Sequence, residues 1–156
     1  MKRSIFVLLK IAVITSGLSA GLSLSHVLEI PGKHTLMAPE FVHVHHTFYF
    51  GYAIFGAVAW IYGLVAGVVG GLALYRVNER AAIDCFAAAA GFAVSLAIFF
   101  IFLERYNEMI ADWGSDVPVG WELIRNRWEV SHTIIFLCGV LSFISFSKAV
   151  QRRSKI

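Results

Sequence analysis

Charged residues are scarce in this sequence, and their scarcity distinguishes a membrane protein from a soluble one. Lys and Arg number 13 and Asp and Glu 10, together 15% of 156 residues, whereas 58% are hydrophobic. A soluble domain averages about 25% charged residues and has a smaller apolar fraction. The charges also fall in clusters between apolar stretches long enough to cross a bilayer, which takes about 20 helical residues. The sequence therefore predicts an integral membrane protein.

Cysteine is nearly absent, and linkers between domains are absent. Cys85 and Cys138 lie within apolar stretches, which argues against a disulfide or a thiolate metal site and favours small packing residues. No internal repeat or low-complexity segment marks a second domain. We expect residues 1–156 to form one domain, an all-α integral membrane four-helix bundle.

Four apolar segments are predicted to be the membrane-spanning helices. Glycine and serine residues in the first two segments predict close packing between helices. Pro31 should end the first helix, because proline removes a backbone donor and biases its predecessor away from helix. The chain is expected to be polar and irregular from Glu104 to Arg127. The predicted segments are residues 4–28, 41–75, 81–103 and 128–147.

Lysines and arginines are unequally divided between the two ends of the predicted bundle. One end carries Lys2, Arg3, Arg76, Arg80, Lys148, Arg152, Arg153 and Lys155, and the other carries Lys33, Arg105, Arg125 and Arg127 among several carboxylates. Because Lys and Arg concentrate in cytoplasmic loops, we expect both termini in the cytoplasm, in an inner or plasma membrane. Topology explains the net charge of +3, so no nucleic-acid partner is expected.

Two short motifs place a histidine and a glutamate one helical turn apart at matching depths. His26 and Glu29 lie near the end of the first helix, and Glu129 and His132 lie near the start of the fourth. Residues three apart share a helix face, and these helices are expected to be antiparallel neighbours. The four side chains should therefore form one cluster.

This cluster fits three kinds of site. The four side chains suit a non-haem transition metal such as iron, zinc, manganese or copper. Two histidines on facing helices also suit the axial positions of a haem, which we favour less than the single metal. In the third interpretation the cluster is an ion-pair and hydrogen-bond network, in which Lys33, Arg125 and Arg127 neutralise the carboxylates. The sequence leaves these three alternatives open.

A second group of histidines opens the second segment. On a helix, His43 and His46 share a face and His45 points elsewhere, so a single three-histidine site is not expected. We expect His46 and Tyr49 to face the bundle interior, and the alternative is that these histidines face water. No role is expected for His34.

The order and spacing of these motifs resemble a known family. The run HxLExPGK after helix one, an aromatic and glycine-rich segment opening helix two, Asn107 after helix three and R-x-R-W-E-x-x-H opening helix four occur in this order. Together they resemble the anthrone-oxygenase-like family of small four-helix membrane proteins over nearly the whole chain. Most bacterial members of that family have no assigned activity. Its fungal members are similar to oxygenases that convert an anthrone to an anthraquinone, with no firmly established cofactor.

The resemblance implies a site and an activity. The site residues that it implies are His26, Glu29, Asn107, Arg127, Trp128, Glu129 and His132. Where the family would have glutamine in the second segment, this chain has His45 and His46. The implied protein is a membrane-embedded, oxygenase-like or redox protein that acts on a lipophilic aromatic or quinone-like molecule.

The implied mechanism gives each group a role. His26 or His132 removes a proton from an acidic substrate carbon or phenol, and Asn107 or Arg127 stabilises the oxyanion that develops. The two glutamates orient the imidazoles, and a bound metal would activate oxygen. The residues expected to contact a cofactor are His46, Tyr49 and Trp128.

The alternative function is non-catalytic. The chain would then be a membrane subunit that binds a metal, haem or small molecule, or that packs as a homo-oligomer or against a larger complex. Its support is a glycine content on helices one to three that exceeds what a single four-helix bundle needs.

Overall fold

The computed structural model describes residues 3–114 and 116–153, and all regular elements of this part of the chain are helices. In chain order they are α1 (Arg3–Lys33), α2 (Ala38–Phe48), α3 (Phe50–Leu74), α4 (Glu79–Ile98), a π-helical segment (Phe99–Leu103), α5 (Glu104–Ala111) and α6 (Trp121–Arg153). The predicted all-α fold is confirmed for these residues.

Four helical stretches of the described residues are long and apolar enough to cross a membrane, as predicted. They are Arg3–Lys33, Ile54–Leu74, Glu79–Ala111 and Trp121–Arg152. The third combines α4, the π segment and α5. Their outward sides carry large apolar side chains that are more than half exposed, among them Ile14, Val58 and Leu141. Exposure of so much apolar surface to water is unfavourable, and a lipid bilayer is the environment that suits it.

The four spans pack in a ring, α1 against α3 and α6, and α4 against the same two helices. Gly17 on α1 lies against Phe143 on α6, and His26 lies against His132. Residue numbers thus rise along one helix as they fall along the other, so α1 and α6 are antiparallel. This arrangement brings the end of α1 and the first turns of α6 to the same level of the bundle.

Glycines on α3 allow a close approach to α4. A Cβ added at Gly63 would lie 2.4 Å from the ring of Phe92, and one added at Gly67 would lie 2.7 Å from the carbonyl oxygen of Cys85. Neither contact is sterically possible without movement, so small residues are required at this interface. The close packing predicted from the glycines is confirmed.

The first helix continues past Pro31, where the sequence predicted its end. Proline removes one backbone donor, but the turn beyond it is retained, and the His34 N–H donates to the Ile30 carbonyl at 3.1 Å. Lys33 anchors this turn, because its side chain is buried and its Nζ lies 2.9 Å from Glu29 Oε2. Tertiary contacts therefore outweigh the local cost of the proline.

The predicted second segment is two helices. α2 ends at Phe48 and α3 begins at Phe50, with Tyr49 between them. α2 packs against α5 as well as against α3. The prediction of one helix over residues 41–75 was wrong, because hydrophobicity alone does not reveal a change of helix direction.

The polar stretch from Glu104 to Arg127 is also more helical than predicted. α5 extends the third span to Ala111, and α6 begins at Trp121. Gly120 has a φ of +82°, a left-handed conformation that favours glycine and that separates the loop from α6. The R-x-R-W-E-x-x-H motif consequently lies within α6 rather than at its start.

Candidate functional site

His26 and His132 form the centre of the candidate site. Their ring centroids are 4.1 Å apart. His26 is only 3% exposed, and its Nδ1 has no hydrogen-bond partner within the described part of the chain. The predicted meeting of the two motifs is confirmed for these histidines.

Trp128 packs against both imidazoles and is almost completely buried. Its ring centroid lies 5.0 Å from that of His26 and 4.3 Å from that of His132. The indole Nε1–H donates to Asn107 Oδ1 at 2.8 Å. Because that oxygen accepts from Trp128, the Asn107 amide offers its N–H groups as donors, and the same amide also interacts with the His45 side chain. Helix α5 thus brings Asn107 to the site.

Two tyrosines near the junction of α2 and α3 lie beside His26. The ring centroids of Tyr49 and Tyr52 are 4.7 Å and 5.0 Å from that of His26. The Tyr49 hydroxyl donates to Glu29 Oε2 at 2.6 Å. Burial, and then this hydrogen bond, raise the pKa of the Tyr49 hydroxyl well above its usual range, so it remains a donor.

Lys33 is a buried cation at the edge of the site. Its Nζ lies 2.9 Å from Glu29 Oε2, 4.9 Å from the ring centroid of Tyr49 and 4.7 Å from that of Trp128. Ring faces attract cations, and more strongly where water is excluded. This part of the cluster matches the ion-network interpretation of the sequence.

A cavity of about 40 Å³ lies against the two histidines. It has room for roughly one to three water molecules, and at this volume it does not hold an aromatic ring. Phe99 reaches it from the π-helical segment, a type of element found frequently at functional sites. The residues that line it are Leu22, Ser23, His26, Tyr49, Tyr52, Trp60, Phe99, Asn107, Trp128 and His132.

The two glutamates have separate partners. Glu129 is 4% exposed, and its Oε2 lies 2.7 Å from Nε2 of His34, a residue for which no role was predicted. Glu29 is engaged by Lys33 and Tyr49. Within residues 3–114 and 116–153, no group of three or more His, Cys, Asp or Glu side chains is arranged to hold a metal ion. The predicted four-ligand site therefore has no support in this arrangement.

His45, rather than His46, faces the site. Its ring is buried and lies 5.6 Å, between centroids, from both Tyr49 and Trp128. Burial lowers the pKa of His45 to about 4, and the neighbouring His46 acts in the same direction. His46 is exposed, and its Nε2 lies 3.1 Å from the Ile110 carbonyl oxygen on α5. The prediction for His46 was wrong because it assumed one continuous helix through Tyr49.

Among the described residues, no ion pair joins Arg125 or Arg127 to a carboxylate. Arg125 is buried and donates from Nη1 to the Lys33 carbonyl at 3.4 Å and from Nη2 to Asn126 Oδ1 at 3.3 Å. It thereby caps the end of α1. Arg127 is exposed and does not line the cavity. Of the two predicted oxyanion donors, only Asn107 is at the site.

Tyr52, Trp60 and His34 were not predicted as site residues. Trp60 lines the cavity from α3, and its Nε1–H donates to Ser19 Oγ at 2.8 Å. Tyr52 and Trp60 are eight residues apart, a spacing that places both on one face of a helix, so a signal for them was present. His34 lies in a turn between helices and gave no such signal.

No known family model, curated protein or solved structure matches this chain. The resemblance to the anthrone-oxygenase-like family therefore stays a prediction.

Proposed function

We propose that this chain is a membrane-embedded, oxygenase-like or redox protein that acts on a lipophilic aromatic or quinone-like molecule beside His26 and His132. The observation that carries the proposal is the buried His26 Nδ1, which has no hydrogen-bond partner among the described residues and whose ring lines the cavity. Buried polar atoms usually have partners. An exception beside a cavity marks a place where a ligand atom or a water molecule belongs.

The groups around this nitrogen suit removal of a proton from a weakly acidic C–H or phenol. His26 accepts the proton at Nδ1, and the Glu29 carboxylate, whose Oε2 is 3.9 Å away, favours the cation that forms. Asn107 donates an N–H to the substrate oxygen on which negative charge develops. The electron-rich ring that results then reacts with dioxygen, and for anthrone the balanced products are anthraquinone and water.

The non-catalytic alternative keeps only part of the support that it drew from the glycines. Gly63, Gly67 and Gly70 pack against Phe92, Ala89 and Leu9 of the same chain. The bundle itself therefore uses these three glycines, whereas a Cβ added at Gly21, Gly32 or Gly51 meets nothing within 4 Å.

An anthrone assay tests the proposed function, and the family resemblance supports the choice of substrate. Protein purified in mild detergent is incubated with anthrone in air, while oxygen uptake and anthraquinone absorbance are followed. We expect His26→Gln to lower the rate by about 10²-fold or more. His43→Gln, an exposed histidine of α2, is the matched control and should keep the wild-type rate. Equal turnover by wild type and His26→Gln would contradict the proposal.

The same preparation addresses the cofactor. Elemental analysis and haem absorbance of the purified wild-type protein measure whether a metal or haem accompanies it. The separate partners of Glu29 and Glu129 lead us to expect turnover that does not depend on a metal held by these two glutamates. Loss of activity on chelation, restored by one added metal, would contradict this expectation.

We also propose that both termini are cytoplasmic and that the site lies toward the opposite face of the membrane. The excess of Lys and Arg in the flanks of the bundle supports this orientation, although Lys2 and Lys155 lie outside the described residues. Val119 is fully exposed before α6, and Val77 is more than half exposed between α3 and α4. A membrane-impermeant maleimide should label Val119→Cys in intact cells and Val77→Cys only after permeabilisation. The reverse pattern would contradict the orientation.

A further inference from the structure

A groove of about 630 Å³ lies next to the cavity. This volume is within the range of small-molecule binding sites, about 300–1,000 Å³, whereas the cavity beside the histidines is far smaller. The groove is lined by the last turns of α1, by α2 and by the tyrosines at the junction of α2 and α3. An aromatic molecule thus fits in the groove outside the histidine cavity but not in the cavity itself.

Tyr49 and Tyr52 separate the two spaces. Each of them lines both the groove and the cavity. The Tyr49 side chain is held in place by its hydrogen bond to Glu29 Oε2, at 2.6 Å. Movement of the Tyr49 phenol ring would therefore remove part of the barrier between the groove and the space beside His26.

The mouth of the groove is apolar. Leu28 and Phe48, which line it, are 70% and 63% exposed. Leu28 lies near the end of the apolar stretch of α1, at the level where a molecule dissolved in the bilayer would meet the protein. Deeper in the groove, the Glu29 and Lys33 ion pair offers an acceptor and a donor to a phenol or a quinone carbonyl.

A second groove, of about 460 Å³, reaches the site between α2 and α5. Its lining combines the apolar Ile54 and Ala111 with the polar side chains of His46, Glu104 and Asn107. These polar side chains suit water better than an apolar ring. The comparison favours the first groove as the route for a lipophilic molecule.

We propose that the groove between α1 and α2 is an outer binding position for the aromatic ligand, from which the ligand enters the histidine cavity when Tyr49 moves away from Glu29. This inference rests on the proposed function, since it assigns an entry route to the same ligand. Its occupant is a lipophilic phenol, anthrone or quinone taken from the bilayer.

Stopped-flow quenching of tryptophan fluorescence by menadione tests the route. Trp60 and Trp128 line the cavity, so a quinone that reaches it quenches their emission. Gly32 lines the groove, and a Cβ added there meets nothing within 4 Å. Gly32→Phe should therefore narrow the groove and slow quenching about tenfold. Gly21→Phe is the matched control on the same helix, in open space and outside the groove, and should leave the rate within about twofold of wild type.

Tyr49→Phe tests whether Tyr49 separates the groove from the cavity, because it weakens this barrier instead of narrowing the groove. It keeps the ring and removes the hydrogen bond to Glu29, so quenching should be accelerated about tenfold. Equal rates for Gly32→Phe and Gly21→Phe, or no acceleration in Tyr49→Phe, would overturn the entry route while leaving saturable quenching and anthrone turnover intact. A wild-type protein with neither saturable quenching nor anthrone turnover would overturn the proposed function together with the route.

Discussion

Lys33 and Glu29 form an ion pair in which the lysine side chain is more deeply buried than the glutamate. Removing each partner should therefore change the free energy of unfolding by a different amount. The Nζ and Oε2 atoms are 2.9 Å apart, and the side chains are 3% and 40% exposed, respectively. We expect Glu29→Gln to lower the free energy of unfolding by about 2 kcal/mol and Lys33→Met by about 1 kcal/mol or less.

The larger loss follows from the ammonium that Glu29→Gln leaves behind. An unpaired charge in a fully buried pair costs about 3–5 kcal/mol. Here the rings of Tyr49 and Trp128 still face the ammonium, and each offsets about 0.5–1 kcal/mol. In Lys33→Met, by contrast, the methionine fills the space of the aliphatic stem. Glu29 then keeps the Tyr49 hydroxyl and its contact with water.

Unfolding by SDS in mixed micelles, followed by far-UV circular dichroism, measures these differences. The double variant should be close in stability to Lys33→Met, which corresponds to a coupling of about 2 kcal/mol, the loss expected for Glu29→Gln alone. Glu122→Gln, an exposed position in the first turn of α6, is the control and should change stability by less than about 0.5 kcal/mol. Equal losses in the two single variants, or a larger loss in Lys33→Met, would refute the reasoning.

Two further predictions concern packing and pH. Gly67→Ala should lower the free energy of unfolding by about 1–3 kcal/mol, because the added Cβ would lie 2.7 Å from the Cys85 carbonyl oxygen. Gly21→Ala, in open space inside α1, should not lower it, because alanine favours a helix over glycine. The same SDS unfolding assay compares the two variants, and a larger loss for Gly21→Ala would contradict the packing. The pKa of His45 is lowered from 6.5 to about 4. Between these two pH values the unfolded state binds more protons than the folded state. The free energy of unfolding therefore falls as the pH drops through this range, by at most about 3 kcal/mol. His45→Gln should flatten the pH dependence of unfolding and His43→Gln should not; indistinguishable pH profiles of the two variants would count against a buried, neutral His45.

The sequence by itself determined the class of the protein and the approximate positions of its spans. Long apolar stretches need a bilayer or a core, and this property is local, so it can be read without knowing the fold. The spacing of three residues within each histidine-glutamate motif is also local. Together with the antiparallel order of helices it was sufficient to predict that His26 meets His132.

Only the tertiary structure decided which partners each group has. α1 continues past Pro31 because Lys33 is buried against side chains from the α2–α3 junction and from α6. The break at Tyr49 rotates α2 relative to α3, so that His45 faces the site and His46 faces α5. Glu129 pairs with His34 across 95 positions of the chain. These contacts depend on how short elements cover one end of the bundle, and neither hydropathy nor helical spacing carries that information.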